Sequence, residues 1–195
     1  MGRIFYLMGK SSTGKDTVFK RLLADGELNL STIVTYTTRP IREGEEEGRE
    51  YHFIDDAKVD ELERAGKIVE LRAYNTVHGI WKYMTVDDGQ INLSERSYLV
   101  IGTPEAYINV AAHFGKSAIV PIMLVLDDGE RLSRALARER AQANPKYEEL
   151  CRRFLADATD FSEENLAPIE GGRTFENIEL DTCVSEVKGY IKSLL

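Results

Sequence analysis

Between the apolar run Ile4-Phe5-Tyr6-Leu7-Met8 and an amphipathic stretch over 15–24, the chain carries Gly9-Lys10-Ser11-Ser12-Thr13-Gly14-Lys15-Asp16-Thr17. Few local patterns restrict a fold as strongly. Glycine lets the backbone turn tightly, the free N–H groups at a helix start converge on an anion, and a lysine after the second glycine reaches the outer phosphates of a nucleotide. A strand before and a helix after are the setting that a phosphate-binding loop requires. The motif therefore assigns Gly9, Ser11, Ser12, Thr13, Gly14, Lys15, Asp16 and Thr17 to the phosphates of ATP. Lys15 has the catalytic part, bridging the β- and γ-phosphates. The strict pattern places a hydroxyl residue directly after the lysine, whereas here Asp16 intervenes before Thr17.

Beyond this loop, short apolar runs alternate with amphipathic ones, which predicts an α/β fold of the P-loop type: a parallel sheet core flanked by helices. Core strands are expected over 3–8, 31–37, 98–102, 118–126 and 174–180. Helices are expected over 15–24, 104–114, 129–143, 147–161 and 182–195, with Thr103 capping the second of these and Pro104 in its first position. The segment from about 38 to 90 breaks the rhythm. It reads as a Pro/Gly-rich loop, a strand over 50–54, a helix over 56–65 closed by Gly66, and a strand over 68–74. With 195 residues and 43% hydrophobic content, the chain suits one folding unit with one substantial core. The expected organisation is a core of 1–37, 91–126 and 162–195, an inserted acceptor-binding lobe over 38–90, and a helical lid over 127–161.

Thirty-three acidic residues against twenty-five basic ones leave a formal charge of −8, which opposes non-specific binding to nucleic acid or to anionic membranes. Any anionic ligand must be caught by a local basic cluster. No apolar stretch approaches the roughly 20 residues that span a bilayer, and the first one is too short for a signal-peptide core, so a cytoplasmic location is expected. Cys151 and Cys183 lack metal-ligand or redox spacing and read as ordinary thiols. With three scattered histidines and two isolated cysteines, no catalytic triad or zinc site competes. Oligomeric state is not encoded in any of these features.

A second constellation points to the acceptor. The run Thr35-Tyr36-Thr37-Thr38-Arg39-Pro40-Ile41-Arg42-Glu43-Gly44-Glu45, followed by Gly48-Arg49-Glu50-Tyr51-His52-Phe53, resembles the GMP-binding lobe of the guanylate kinase family. Physically, Arg39 and Arg42 can grip a phosphate with planar, charge-assisted forks, and Tyr51 can add a hydroxyl donor. The resemblance implies that these three hold the acceptor phosphate. It further implies that Glu70 presents a carboxylate to guanine N1–H and the 2-amino group, with Thr35 assisting at the base. Thr76-Val77-His78-Gly79-Ile80 resembles the family's tyrosine–glycine–hydroxyl segment only in outline: His78 stands where a phosphate-binding tyrosine is expected, and Ile80 replaces the hydroxyl. Nucleoside monophosphate kinases also carry the loop hydroxyl one residue late, so Thr17 is assigned to Mg²⁺ or the β-phosphate.

After the strand over 98–102 the family carries acidic residues, but this chain reads Ile101-Gly102-Thr103-Pro104-Glu105. Thr103 can replace a hydrogen bond at the acceptor but not a charge. This turn, together with Asp16, also resembles a related family of ribose 1,5-bisphosphate kinases, which is the rival reading. A non-catalytic guanylate-kinase-like interaction module is a third. Arg131, Arg134, Arg138 and Arg140 crowd one expected helix, while Arg152 and Arg153 lie on the next. By resemblance to the mobile lids of such kinases, Arg134, Arg138 and Arg153 are the catalytic candidates, and Asn177 stands near the adenine of ATP. The expected reaction is in-line transfer of the γ-phosphoryl group of ATP to GMP, with Mg²⁺.

Overall fold

The structure, a computed structural model, describes residues 2–42, 44–76 and 79–195. In chain order it begins with β1 (Ile4–Met8), α1 (Lys15–Leu23), β2 (Tyr36–Thr37), β3 (His52–Phe53), α2 (Asp56–Arg64), β4 (Ile68–Thr76) and β5 (Gly79–Val86). There follow β6 (Tyr98–Ile101), α3 (Pro104–Phe114), β7 (Ile119–Val125), α4 (Asp128–Arg140), α5 (Tyr147–Asp160), the short α6 (Glu163–Leu166), β8 (Arg173–Glu176) and α7 (Leu180–Leu194).

The strands form two sheets. The first, in the order β6-β1-β7-β8, is parallel throughout, with Ile4 opposite Tyr98 on one side and Ile119 on the other. A strand paired on both edges and covered on both faces must be apolar at every position, and β1 is buried along its whole length. Its side chains alternate. Phe5 and Leu7 pack with Val18 and Leu22 of α1 and with Val187 and Ile191 of α7. Ile4, Tyr6 and Met8 pack on the opposite face with Ala106 and Val110 of α3. Each such large side chain contributes roughly 1.5–3 kcal/mol by leaving water, so the strand that delivers the phosphate loop is held from both faces.

The second sheet, β3-β2-β5-β4, is mixed, and α2 covers it by packing Val59 and Leu62 against Met84 and Val86. Asp55 caps α2 by accepting from the Lys58 backbone N–H, and Gly66 follows the helix in a left-handed conformation that favours glycine. Both boundaries agree with the sequence reading.

Three elements differ from it. The run over 31–37 is not one core strand: Ser31 makes a parallel bridge to Tyr98, whereas Tyr36 and Thr37 pair with the second sheet. A single extended segment thus serves both sheets, and hydrophobic pattern alone does not register that change of partner. The last strand stops at Glu176, because Glu179 accepts from the backbone N–H groups of Asp181 and Thr182 and starts α7 at Leu180. The helix was expected to begin at 182. Strand β5 was not anticipated, although it lies inside the second sheet with β2 and β4 as neighbours. No helix among the described residues is long and apolar enough to cross a membrane.

Candidate active site

The glycine-rich loop is built by backbone conformation and three braces. Gly14 lies at φ 84°, and a Cβ there would approach Asn177 Nδ2 to 2.4 Å, so both handedness and space require glycine. Thr13 Oγ1 donates to the Lys10 carbonyl at 2.9 Å, and Asn177 Nδ2 donates to the Thr13 carbonyl at 2.7 Å. Gly9 passes so close to β7 that a Cβ would meet the Leu124 carbonyl oxygen at 2.6 Å. Lys15 is the first residue of α1 and half-buried. Burial lowers its pKa, opposed by the nearby Asp16 and reinforced by Arg153. Asp16 and Thr17 are exposed on the first turn of α1. A cavity of about 380 Å³ opens here, lined among others by Lys15, Asp16, Thr17, Arg134 and Asn177. Asn177 is buried, and among the described residues its Oδ1 has no hydrogen-bond partner.

Helices α4 and α5 bring arginines over this loop. Arg138 Nη2 lies 3.4 Å from Ser12 Oγ and Arg153 Nη2 lies 3.4 Å from Ser11 Oγ. Arg134 Nη2 instead donates to the carbonyls of Asn177 and Ile178, both at 3.1 Å. Two residues outside the expected catalytic set complete the arrangement. Arg131, 1% exposed, donates from Nε to the Ser11 carbonyl at 2.9 Å and from Nη2 to Asp157 Oδ2 at 2.6 Å, and it also pairs with Asp128. Asp157 accepts from the Ser11 backbone N–H at 2.8 Å and from Ser11 Oγ at 3.2 Å. The signal for Arg131 was present: Arg131, Ala135 and Glu139 recur at helical spacing and form the buried face of α4.

Across the cleft, the second sheet carries the expected acceptor residues. Arg39 is 3% exposed, pairs with both carboxylate oxygens of Glu45 at 2.8 and 3.0 Å, and lies over the rings of Tyr51 and Phe53. That partner holds Glu45 below the usual carboxylate range. The Arg42 backbone N–H also donates to Glu45, at 2.8 Å, while its side chain lines the cleft. Tyr51 meets Tyr83 edge-on, and burial raises its phenol pKa. Thr35 is half-buried just before β2; continuing the β2–β5 register by one residue places it opposite Thr85, which in turn faces Glu70. Thr103 caps α3 by accepting from the Ala106 N–H at 3.3 Å. Gly79 begins β5 opposite Thr76. His78 lies outside the described residues.

Glu70, expected to present its carboxylate to guanine, lies on β4. It is 4% exposed, accepts from Thr85 Oγ1 at 2.9 Å, and pairs with Arg72. Arg72, also not singled out in the sequence, lies on the same face of β4 two residues on and reaches towards Thr103. Beneath α4 and α5 lies a cavity of about 530 Å³, lined mostly by those helices, Arg138 and Arg153 among them, with Ser11 and Ser12 of the loop and Arg42 and Trp81 of the acceptor lobe.

A parallel sheet, a glycine-rich loop closed by Lys15, overhanging arginines and a facing lobe that sets Arg42 into the cleft together define a P-loop phosphotransferase. The guanylate kinase family model matches residues 1–81. A guanylate kinase of Nocardia farcinica is 31% identical over 185 residues, covering 93% of this chain and 81% of that protein. Another, of Prochlorococcus marinus, is 30% identical over 206 aligned positions, covering 97% of each. The chain belongs to the guanylate kinase family. The crystal structure of guanylate kinase from Anaplasma phagocytophilum shares the fold, with a TM-score of 0.68 at 20% identity over 98% of this chain and 85% of that one.

Proposed function

We propose that the protein transfers the γ-phosphoryl group of ATP to GMP, giving ADP and GDP, and that it does so in the cytoplasm. The observation that carries the reading is the facing of Ser11 and Ser12 by Arg42 across a single cleft, with Arg138 and Arg153 above it. Two polyanions placed on those walls meet end to end. The acceptor phosphate is already an anionic nucleophile, so no covalent intermediate and no catalytic base are required, and catalysis is positioning plus charge stabilisation.

In this reading the loop N–H groups and Lys15 hold the ATP phosphates. Arg42, Tyr51 and Arg39, whose guanidinium Glu45 orients, hold the acceptor phosphate, and Arg138 and Arg153 neutralise charge on the group in transit. Arg134 and Asn177 form the wall towards the base of ATP. Among the described residues no cluster of three or more histidine, cysteine or acidic side chains could hold a metal. The oxygen donors of Asp16 and Thr17 beside the loop fit Mg²⁺ held mainly through nucleotide phosphates and water. When bound, Mg²⁺ supplies further neutralisation of the phosphate charge.

The test is an assay coupled to ADP release, run with ATP and Mg²⁺ across GMP, dGMP, AMP, UMP, CMP and ribose 1,5-bisphosphate. The expected result is turnover with GMP and dGMP well above the rest. Preferred turnover of ribose 1,5-bisphosphate would replace this reading with its rival, and no turnover with any acceptor would leave a binding module.

A further inference from the structure

The lining of the cavity beneath α4 and α5 is of two chemical kinds. Ser11, Ser12, Arg42, Arg138 and Arg153 supply donors and positive charge, whereas Trp81, Ala135, Leu150 and Phe154 supply apolar surface. Among the described residues of the acceptor lobe, Arg42 and Trp81 line this space. The lobe therefore brings it one cation and one large apolar ring.

Trp81, the single tryptophan of the chain, lies on β5 opposite Tyr74. Side chains alternate along a strand, so Ile80, 58% exposed, is on the other face, while Tyr83 shares the face of Trp81. There Tyr83 meets both Tyr51 and Tyr74 edge-on, with ring centres 5.8 Å apart in each pair. On α5, Leu150, Arg153, Phe154 and Asp157 recur at helical spacing and share one face. That face is anchored. Asp157 accepts from the Ser11 N–H at 2.8 Å, and the Arg131 guanidinium carbon lies 5.0 Å from the centre of the Phe154 ring. The arginine assigned to the group in transit and two of the apolar lining residues thus come from one fixed helical face.

The γ-phosphoryl group has a second possible acceptor, water. Attack by water forms a bond from its oxygen to phosphorus, breaks the bond from phosphorus to the bridging oxygen of ADP, and releases ADP, inorganic phosphate and a proton. Lys15 and the lid arginines stabilise the charge of that reaction as well as that of the transfer, so they give no selectivity between the two. Apolar lining does give selectivity. It offers water no hydrogen-bond partners, while Arg42 still holds an anionic acceptor in place.

We propose that Trp81 is the residue by which the acceptor lobe keeps water from the γ-phosphoryl group, with Leu150 and Phe154 completing the apolar lining. This rests on the phosphotransfer set out above. Loss of the indole then redirects the phosphoryl group from the acceptor to water, rather than slowing both reactions alike.

The experiment follows GDP and inorganic phosphate separately in one reaction with ATP, Mg²⁺ and saturating GMP, for wild type, Trp81→Phe and Trp81→Ala. The ratio of phosphate to GDP is internal to each sample and does not depend on how much of a variant is folded. Wild type is expected to release less than about one phosphate per 100 GDP. Trp81→Ala should raise the ratio by about tenfold or more, and Trp81→Phe, which keeps a ring, by about threefold or less. The KM for ATP should stay within about twofold in both, because Trp81 lies outside the lining of the cavity at Lys15 and Asn177. The excess phosphate should vanish in Lys15→Ala/Trp81→Ala, and an excess that persists there would overturn the proposal, since it would not arise at the loop. A ratio in Trp81→Ala within about twofold of wild type would also overturn it, whatever the fall in GDP formation, while leaving GMP phosphorylation in place. A wild type that forms no GDP would overturn the proposed function and this inference together.

Discussion

Asp157 on α5 accepts the backbone N–H of Ser11 at 2.8 Å, although the two residues are 146 positions apart in the chain. The same carboxylate takes Arg131 Nη2 at 2.6 Å, and Arg131 in turn donates to the Ser11 carbonyl. Both backbone groups of one loop residue are thus satisfied by side chains of the overhanging helices. The phosphate loop and the arginines above it share one hydrogen-bonded anchor, which couples their positions. In the proposed reaction, in-line transfer depends on that coupling, because the arginines must arrive over the phosphates assigned to the loop.

Asp157→Ala removes the acceptor for Ser11 and leaves Arg131 buried without its partner. Breaking one side of a buried ion pair costs about 3–5 kcal/mol, so the variant should melt well below wild type. Asp157→Asn keeps the shape and an acceptor oxygen and should lose less. In both, kcat/KM for ATP should fall more than that for the acceptor. Thermal melts and initial-rate kinetics on the two variants test this, and an unchanged melting temperature for Asp157→Ala would show that the anchor carries no stability.

Lys15→Ala should abolish transfer while leaving the fold intact, since Lys15 lies on the first turn of α1 and belongs to none of the buried apolar clusters. Loss of a charge-stabilising donor in the transition state costs about 10²–10³ in kcat, and more is expected for a full charge. The pH profile gives an independent check. Burial lowers the Lys15 pKa, so in the free protein the ammonium is lost at a lower pH than the ordinary lysine value of about 10.4. The alkaline limb of kcat/KM for ATP should therefore fall below that value, and a limb at or above it would remove Lys15 from the phosphate site.

The phosphate loop was legible because its requirements are local: strand, glycines, lysine and helix follow one another in the chain. The same holds for Arg39, Arg42 and Tyr51, which lie within one short segment. What escaped the sequence is set by long-range pairing. Arg72 gains its meaning from Glu70 and Thr103, the latter 31 residues away, and Asp157 gains its meaning from Ser11. Strand β5 was missed although it follows β4 directly as the second arm of a hairpin; its other neighbour, β2, lies more than 40 residues earlier, and the run before Arg39 hid a change of sheet. Periodicity reports which face of an element is buried, and not which partner buries it.

Glu45 gives the fold a pH dependence of known sign. Its carboxylate is held below the ordinary range, first by the hydrogen bonds from Arg39 and further by the Arg42 backbone N–H. A depressed carboxylate means that the unfolded chain binds the proton more readily, so the stability it contributes is complete above about pH 4.3 and is lost as pH falls through the lower folded value. Glu45→Gln should therefore be less stable than wild type at pH 7, by about 1.5–3 kcal/mol for a charged hydrogen-bonded group. The difference should shrink as the solution is acidified below pH ~4. Urea unfolding of both chains at neutral and acid pH measures it, and a gap that does not close in acid would mean that the charge of Glu45 is not the source.

Arg39 and Arg42 separate structure from binding within one loop. The Arg39 guanidinium is buried between the rings of Tyr51 and Phe53 and committed to Glu45, so Arg39→Ala should both weaken acceptor binding and destabilise the second sheet. The Arg42 side chain stands in the cleft, and only its backbone N–H serves Glu45. Arg42→Ala retains that N–H and should leave the melting temperature unchanged. Each arginine that grips the acceptor phosphate is worth about 1.5–3 kcal/mol, so the acceptor KM should rise by about 10- to 100-fold in Arg42→Ala while the KM for ATP stays within about twofold. Steady-state kinetics with each substrate varied at saturation of the other gives both values. An equal rise in both constants would move Arg42 to the ATP side of the cleft, and a fall in melting temperature equal to that of Arg39→Ala would make its role structural.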